Sequence, residues 1–367
     1  FDMLSGRKDV ISLTVGQPDF PTPYHISNAG VDSIVKNKTY YTSNSGLPEL
    51  RAGIAAYLDR RFGLHYEPET EIFVTVGGSE AIDMAFRAVI DPGDEVIVPE
   101  PCFVCYAPLI EMMDGIAVPL YTKAEDKFKV TPELLAPLLT PRTKILVLSY
   151  PNNPTGAIMT REDLKKVLPL LQAHDLLVLS DEIYAELTYG QTHCSIATLP
   201  GMWERTIVVN GFSKAYAMTG WRLGYTCAPA PIIKQMLKLH QYGIMCASTA
   251  SQFAGVEAVN HGDADIEYMK EQYNFRRTYV TGRLRQMNIP CFEPEGAFYV
   301  FPCIKGYGMT SEQFCERLMN ERGVAIVPGS AFGEGSEGFA RISYAYSIEH
   351  LEEALNRMEA FLRDIAG

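Results

Sequence analysis

No stretch of this chain approaches the roughly 18 uninterrupted apolar residues that a membrane-crossing helix needs, so no membrane span is expected. Positive charge is also scarce. Thirty-two lysines and arginines stand against 44 aspartates and glutamates, a net charge of −12, whereas nonspecific nucleic-acid binding draws on a basic surface. No nucleic-acid partner is expected. Metal-ligand spacing is missing too. The eight cysteines include one C-x-x-C, Cys102 and Cys105, but no second pair or nearby histidine completes a zinc site. The seven histidines follow no ligand pattern, and no metal is expected. The thiols read as free and buried in a reducing cytosol. The chain begins at Phe1 without a methionine or the basic stretch and apolar core of a signal peptide. It reads as a trimmed start on a cytoplasmic protein. Repeats and low-complexity linkers are absent as well.

What is present is an ordinary globular composition, 47% hydrophobic and 21% charged over 367 residues, enough for one large domain or two unequal ones. Short apolar runs alternate with amphipathic stretches. Glu71–Val76, Glu95–Val98, Ile116–Tyr121, Lys144–Ser149, Leu176–Ser180, Thr206–Val209 and Leu223–Cys227 read as strands. Helices are expected over Leu50–Arg61, after Thr131-Pro132, after the capping box Thr160-x-x-Asp163, near Pro231–Gln241 and over Asp263–Gln286. Further on, Phe298–Phe301, Gly323–Val327 and Ala340–Tyr344 read as shorter strands. Thr310-x-x-Gln313 caps a helix between them, and Leu351, Leu355, Met358 and Leu362 stripe the last one. This alternation gives an α/β fold.

Lys214 is the residue around which the chemistry gathers. It follows the buried run Thr206–Val209 in Asn210-Gly-Phe-Ser213-Lys214-Ala-Tyr-Ala-Met-Thr-Gly-Trp-Arg222. A lysine at a strand end in apolar company loses solvation, which disfavours its charged form and frees an amine that can form a Schiff base with an aldehyde. Arg222, eight positions on, offers a fork suited to a phosphate. Gly77-Gly78-Ser79-Glu80, between a strand and a helix, can present backbone N–H groups to an anion. Asp181 ends an all-apolar strand, where a carboxylate is costly unless paired.

Ser213-Lys214-Ala-Tyr-Ala-Met-Thr-Gly-Trp-Arg222-Leu-Gly resembles the lysine segment of class I/II aminotransferases, the fold-type I enzymes dependent on pyridoxal 5′-phosphate (PLP). The likeness runs from about Val15 to the last helix, with the motifs in the family's order. It implies a large PLP-binding domain, residues 35–262, built on a mostly parallel sheet covered by helices. Residues 1–34 and 263–367 would form a smaller α/β domain. It implies that Lys214 carries PLP, that Asp181 holds the pyridinium N–H, and that Gly78, Ser79, Glu80, Ser213 and Arg222 surround the phosphate. Phe103 would stack on the ring, and Asn153 of Asn153-Pro-Thr-Gly156 would bond its phenolic oxygen together with Tyr184. Tyr41, five residues before Gly46, would reach the phosphate of a partner subunit, making a homodimer. Gly16 and Arg341 would take the substrate α-carboxylate, Arg341 as a bidentate fork.

The resemblance therefore implies amino-group exchange between an amino acid and a 2-oxo acid, with 2-oxoglutarate and glutamate as one pair. Two departures stand out. Gly211 replaces a serine found in many relatives, and Ser79 occupies a position where some aspartate-type relatives carry lysine, which leaves aromatic, aspartate or broad specificity open. A carbon–sulfur or other β/γ-lyase uses the same parts. A PLP-binding regulatory module is a further alternative, disfavoured by the lack of a basic DNA-binding segment.

Overall fold

The structure, a computed structural model, describes residues 9–366, so residues 1–8 of the expected N-terminal part lie outside it. A short strand, β1 (Ile11–Ser12), precedes seven longer ones: β2 (Ile72–Thr75), β3 (Glu95–Glu100), β4 (Ile116–Tyr121), β5 (Thr143–Ser149), β6 (Leu177–Asp181), β7 (Thr206–Gly211) and β8 (Gly224–Cys227). These seven form one sheet in the order β2-β8-β7-β6-β5-β3-β4. Within it β8 pairs antiparallel with both β2 and β7, and every other pairing is parallel.

Strands that are apolar on both faces must be covered on both faces. Phe73, Val96, Val98, Val147 and Val209 pack against the helices Gly77–Val89, Tyr106–Glu111 and Ala230–Gly243. The alternate positions Ile97, Leu146 and Val178 pack against the helix Arg161–Ala173. Val74 and Val208 meet the helices Pro48–Phe62 and Thr249–His261. Both capping boxes form: Thr160 Oγ1 accepts from Asp163 N at 3.2 Å, and Thr310 Oγ1 from Gln313 N at 3.2 Å.

The second region holds β9 (Tyr299–Val300), β10 (Val324–Ala325), β11 (Val327–Pro328) and β12 (Ala340–Ser343). β12 lies between β11 and β9, antiparallel to both. The single strand expected over 323–327 is split, because its two halves pair with different partners. β10 runs parallel to β1, β11 joins β12, and Ile326 makes the break. The helix Asp263–Gln286 links the regions. Ile266 near its start packs under the large sheet, whereas Tyr273, Val280 and Leu284 enter the second core with Phe314, Leu318, Leu351 and Leu355.

The N-terminal stretch is divided. β1 joins β10, but the helix Tyr24–Val35 carries Ile26 into the core beside the helices Pro48–Phe62 and Thr249–His261. Gly30 lets this helix lie against Trp221, whose ring is 2.6 Å from where a Cβ would sit. That helix thus joins the core beside the large sheet, and its His25 also meets Asp265 on the helix Asp263–Gln286 at 2.9 Å.

Candidate active site

In a parallel sheet the carboxyl ends of the strands leave a crevice lined by the loops that follow them. Here that crevice is a cavity of about 710 Å³. Ser149 and Asp181 line it from the ends of β5 and β6, and Ser213 and Lys214 from just beyond β7. Ile326, Phe332 and Arg341 close it from the second region, and Thr14 to Gln17 cross it as a strap.

Lys214 sits in the single helical turn Phe212–Ala215, which follows the all-buried β7. Its Nζ donates to the Gly16 carbonyl at 2.6 Å and lies 5.6 Å from the centre of the Tyr184 ring. Burial, followed by the charges of Arg341 and Arg222, pushes this amine down to about 8, with Asp181 pulling the other way. Asp181 is 6% exposed. Its Oδ2 accepts from the Tyr106 hydroxyl at 2.6 Å and its Oδ1 from Ile183 N at 3.2 Å. Burial nevertheless raises it above the usual carboxylate range, because neither neutral donor replaces lost water as a cation would.

One end of the cavity is suited to an anion. Gly78 and Ser79 line it from the first turn of the helix Gly77–Val89, where backbone N–H groups lack intrahelical acceptors. Arg222 crosses this turn closely. A Cβ on Gly77, whose φ is +76°, would lie 2.5 Å from Arg222 Nη2. Gly224 of the antiparallel β8 approaches from behind, with its missing Cβ 2.6 Å from Gly77 C. Glu80 lies one step deeper. Its carboxylate accepts from Val76 N and meets His240 Nδ1 at 2.6 Å, and it does not line the cavity. Gly211 is likewise crowded, 3.0 Å from Gly224 Cα at its would-be Cβ, which explains a glycine there.

At the other end Arg341, on β12, is sandwiched between the rings of Tyr299 (4.6 Å) and Phe332 (4.9 Å). Its Nη1 donates to Asn153 Oδ1 at 2.8 Å, and its Nη2 to the Thr14 carbonyl. Asn153 and Tyr184, expected to share one ligand oxygen, are engaged separately. Tyr184 pairs with the Tyr299 hydroxyl at 2.7 Å. Phe103 lines the cavity 36% exposed, edge-on to Tyr106.

The structure thus brings Gly16, Gly78, Ser79, Phe103, Asn153, Asp181, Tyr184, Ser213, Lys214, Arg222 and Arg341 to one cavity. It places Tyr41 on the surface, 81% exposed, and outside this cavity wall. Sequence reasoning passed over Tyr106 and Tyr299. Both are buried tyrosines close to motifs, and a buried hydroxyl needs a partner, which was the available signal.

Comparison with known proteins gives a consistent set. The model of the aminotransferase class I and II family matches residues 8–358. The putative aminotransferase YugH of Bacillus subtilis is 49% identical over 362 residues, 99% of this chain and 94% of that protein. An aspartate aminotransferase of Pyrococcus abyssi is 44% identical over 367 residues, 99% of this chain and 94% of that one. The crystal structure of an aromatic aminotransferase from Pyrococcus horikoshii superposes with a TM-score of 0.95 at 44% identity, covering 99% of this chain and 98% of that one.

Proposed function

Because this chain belongs to the aminotransferase class I and II family and is an aminotransferase, we propose that its cavity holds PLP on Lys214 and exchanges amino groups between an amino acid and a 2-oxo acid. The observation that carries this reading is Lys214 itself. Its amine, pushed down to about 8, lies in one cavity with the buried Asp181 and between two arginines. When bound, the cofactor supplies an aldehyde for an amine and a ring that withdraws electrons from the substrate Cα.

Each residue then has a task. Arg222 and the amides of Gly78 and Ser79 hold a phosphate, and the missing Cβ of Gly77 gives Arg222 its place. Asp181, raised for want of a cationic neighbour strong enough to offset its burial, holds a protonated ring nitrogen. Phe103 supports the ring, and Asn153 and Tyr184 hold its phenolic oxygen. Arg341 grips the substrate α-carboxylate. Lys214 Nζ takes and returns the proton at the substrate Cα, and a pKa near 8 suits that role at neutral pH.

A homodimer belongs to this reading, with Tyr41 reaching the partner's phosphate. The exposed apolar side chains Tyr24, Val31, Ile34 and Val35 of one helix, and Tyr40 and Tyr41 after it, support it. The free cysteines support a reducing cytoplasm. Glutamate with 2-oxoglutarate is the proposed common pair. The other pair is aromatic, aspartate or broad; aspartate, aromatic and N-acetyl-LL-diaminopimelate aminotransferases are all named among the relatives. Those names leave the lyase and regulatory alternatives without support.

Borohydride reduction followed by peptide mapping tests the assignment, and the reduced cofactor should be found on Lys214. Label on another lysine, or none, would overturn it. Sustained ammonia release from cysteine without an oxo-acid acceptor would indicate a lyase instead.

A further inference from the structure

We propose that Tyr299 is a positioning residue of this site, a single side chain that sets both the hydroxyl of Tyr184 and the guanidinium of Arg341. The inference rests on the reading of the cavity given above.

Tyr299 is 0% exposed and lies on β9, whose partner strand β12 carries Arg341. Three groups converge on it. The centre of its ring is 4.6 Å from the Arg341 guanidinium, which Phe332 covers at 4.9 Å. Its hydroxyl is 2.7 Å from that of Tyr184. The same hydroxyl lies 2.3 Å from where a Cβ of Gly16 would be, so the strap backbone rests directly on it. The carbonyl of Gly16 in turn receives Lys214 Nζ at 2.6 Å. One phenol therefore touches the carboxylate anchor, the ring-oxygen donor and the strap that holds the reactive amine.

Two buried tyrosines could simply satisfy each other. Their proton count argues for more. Each hydroxyl has one proton, the pair uses one between them, and neither hydroxyl makes a second hydrogen bond among the described residues. One donor is left for a ligand. On the reading of the cavity given above, Tyr184 gives its proton to the ligand's phenolic oxygen, which leaves its own oxygen to accept from the Tyr299 hydroxyl 2.7 Å away. Tyr299 thus donates to Tyr184, and the Tyr184 proton is the one available to the cavity. Donation in series polarises the second hydroxyl and strengthens its bond to an anionic oxygen. The other titratable neighbours include Tyr346, Tyr344 and Tyr273 around Tyr299, Asp181 near Tyr184, and Lys214 5.6 Å from the Tyr184 ring.

Two variants separate the hydroxyl from the ring. Tyr299→Phe keeps the ring under Arg341 and removes only the back-donor. The KM for amino acids should stay within about twofold, while the pH at which the bound cofactor's visible absorbance changes should rise by roughly half to one unit. The rise follows because weaker donation disfavours the form with more negative charge on the oxygen. Gly16→Ala, which drives a methyl onto the same hydroxyl, should move that transition in the same direction. Tyr299→Leu removes the ring as well and should raise the KM of amino acids about three- to tenfold, leaving decarboxylated amines unaffected. Tyr299→Phe protein that carries the cofactor on Lys214 yet titrates at the wild-type pH would overturn the role of Tyr299 alone. Equal loss for amines and amino acids in Tyr299→Leu would do the same. Wild-type protein without cofactor on Lys214 would overturn the underlying reading as well.

Discussion

At the scale of single residues, the site is defined by groups held away from their ordinary protonation. Lys214 is the clearest case. Burial, then Arg341 and Arg222, lower it from 10.5 to about 8, against the pull of Asp181. The folded protein thus holds this proton less tightly than the unfolded chain does. Below pH 8 both states are protonated and the fold bears the full cost; between 8 and 10.5 only the unfolded chain keeps the proton, and the cost is relieved as pH rises. In cofactor-free protein, Lys214→Met should therefore be more stable than wild type at pH 7. The difference should shrink as the pH rises through 8 towards 10.5. Urea midpoints across that range measure it, and a gap independent of pH would contradict the assigned cause.

At the scale of elements, the one antiparallel strand of the large sheet has a specific use. β8 brings Gly224 against the first turn of the helix Gly77–Val89, and its Cβ would fall 2.6 Å from Gly77 C and 2.8 Å from Gly78 N. Backbone cannot yield as a flexible side chain does. Gly224→Ala should displace the helix start from its place against Arg222 and cost about 1–3 kcal/mol. Cofactor retention after dialysis should fall with it. Gly282→Ala, in the helix Asp263–Gln286 with nothing within 4 Å, serves as the control. It should retain cofactor as wild type does and gain up to about 1 kcal/mol. Equal retention by the two variants would show that the glycine contact does not shape the anion end.

At the scale of the whole molecule, the helix Tyr24–Val35 leaves apolar side chains in the open: Tyr24 is 83% exposed and Val35 72%, with Val31 and Ile34 exposed between them, and Tyr41 (81%) follows it in the chain. Apolar side chains exposed in this way on a charged surface suit burial against a second copy. Sedimentation of the wild type should give twice the 40.8 kDa of one chain. Ile34→Glu should shift the mass towards the monomer and lower cofactor retention as Tyr41 is withdrawn from its partner. A monomeric wild type, or a variant that stays dimeric, would remove this face from the interface.

Local pattern was enough for much of this protein. Apolar runs bounded by turn residues marked the seven strands of the large sheet, most clearly the inner β5, β6 and β7, because a strand covered on both faces must be largely apolar. The capping boxes at Thr160 and Thr310 were legible because their partners lie three residues away. Lys214, Asp181 and Arg222 stood out because an ionisable group beside a buried run carries a cost that needs a reason. Tertiary structure decided what depends on partners far along the chain. Tyr106 meets Asp181 across 75 residues and Tyr184 meets Tyr299 across 115, separations at which no periodicity carries a signal. The break at Ile326 arose because β1 and β12 compete for adjacent residues. The helix Tyr24–Val35 went to the large sheet because Gly30 fits under Trp221, a contact between residues 191 positions apart that only the folded chain creates.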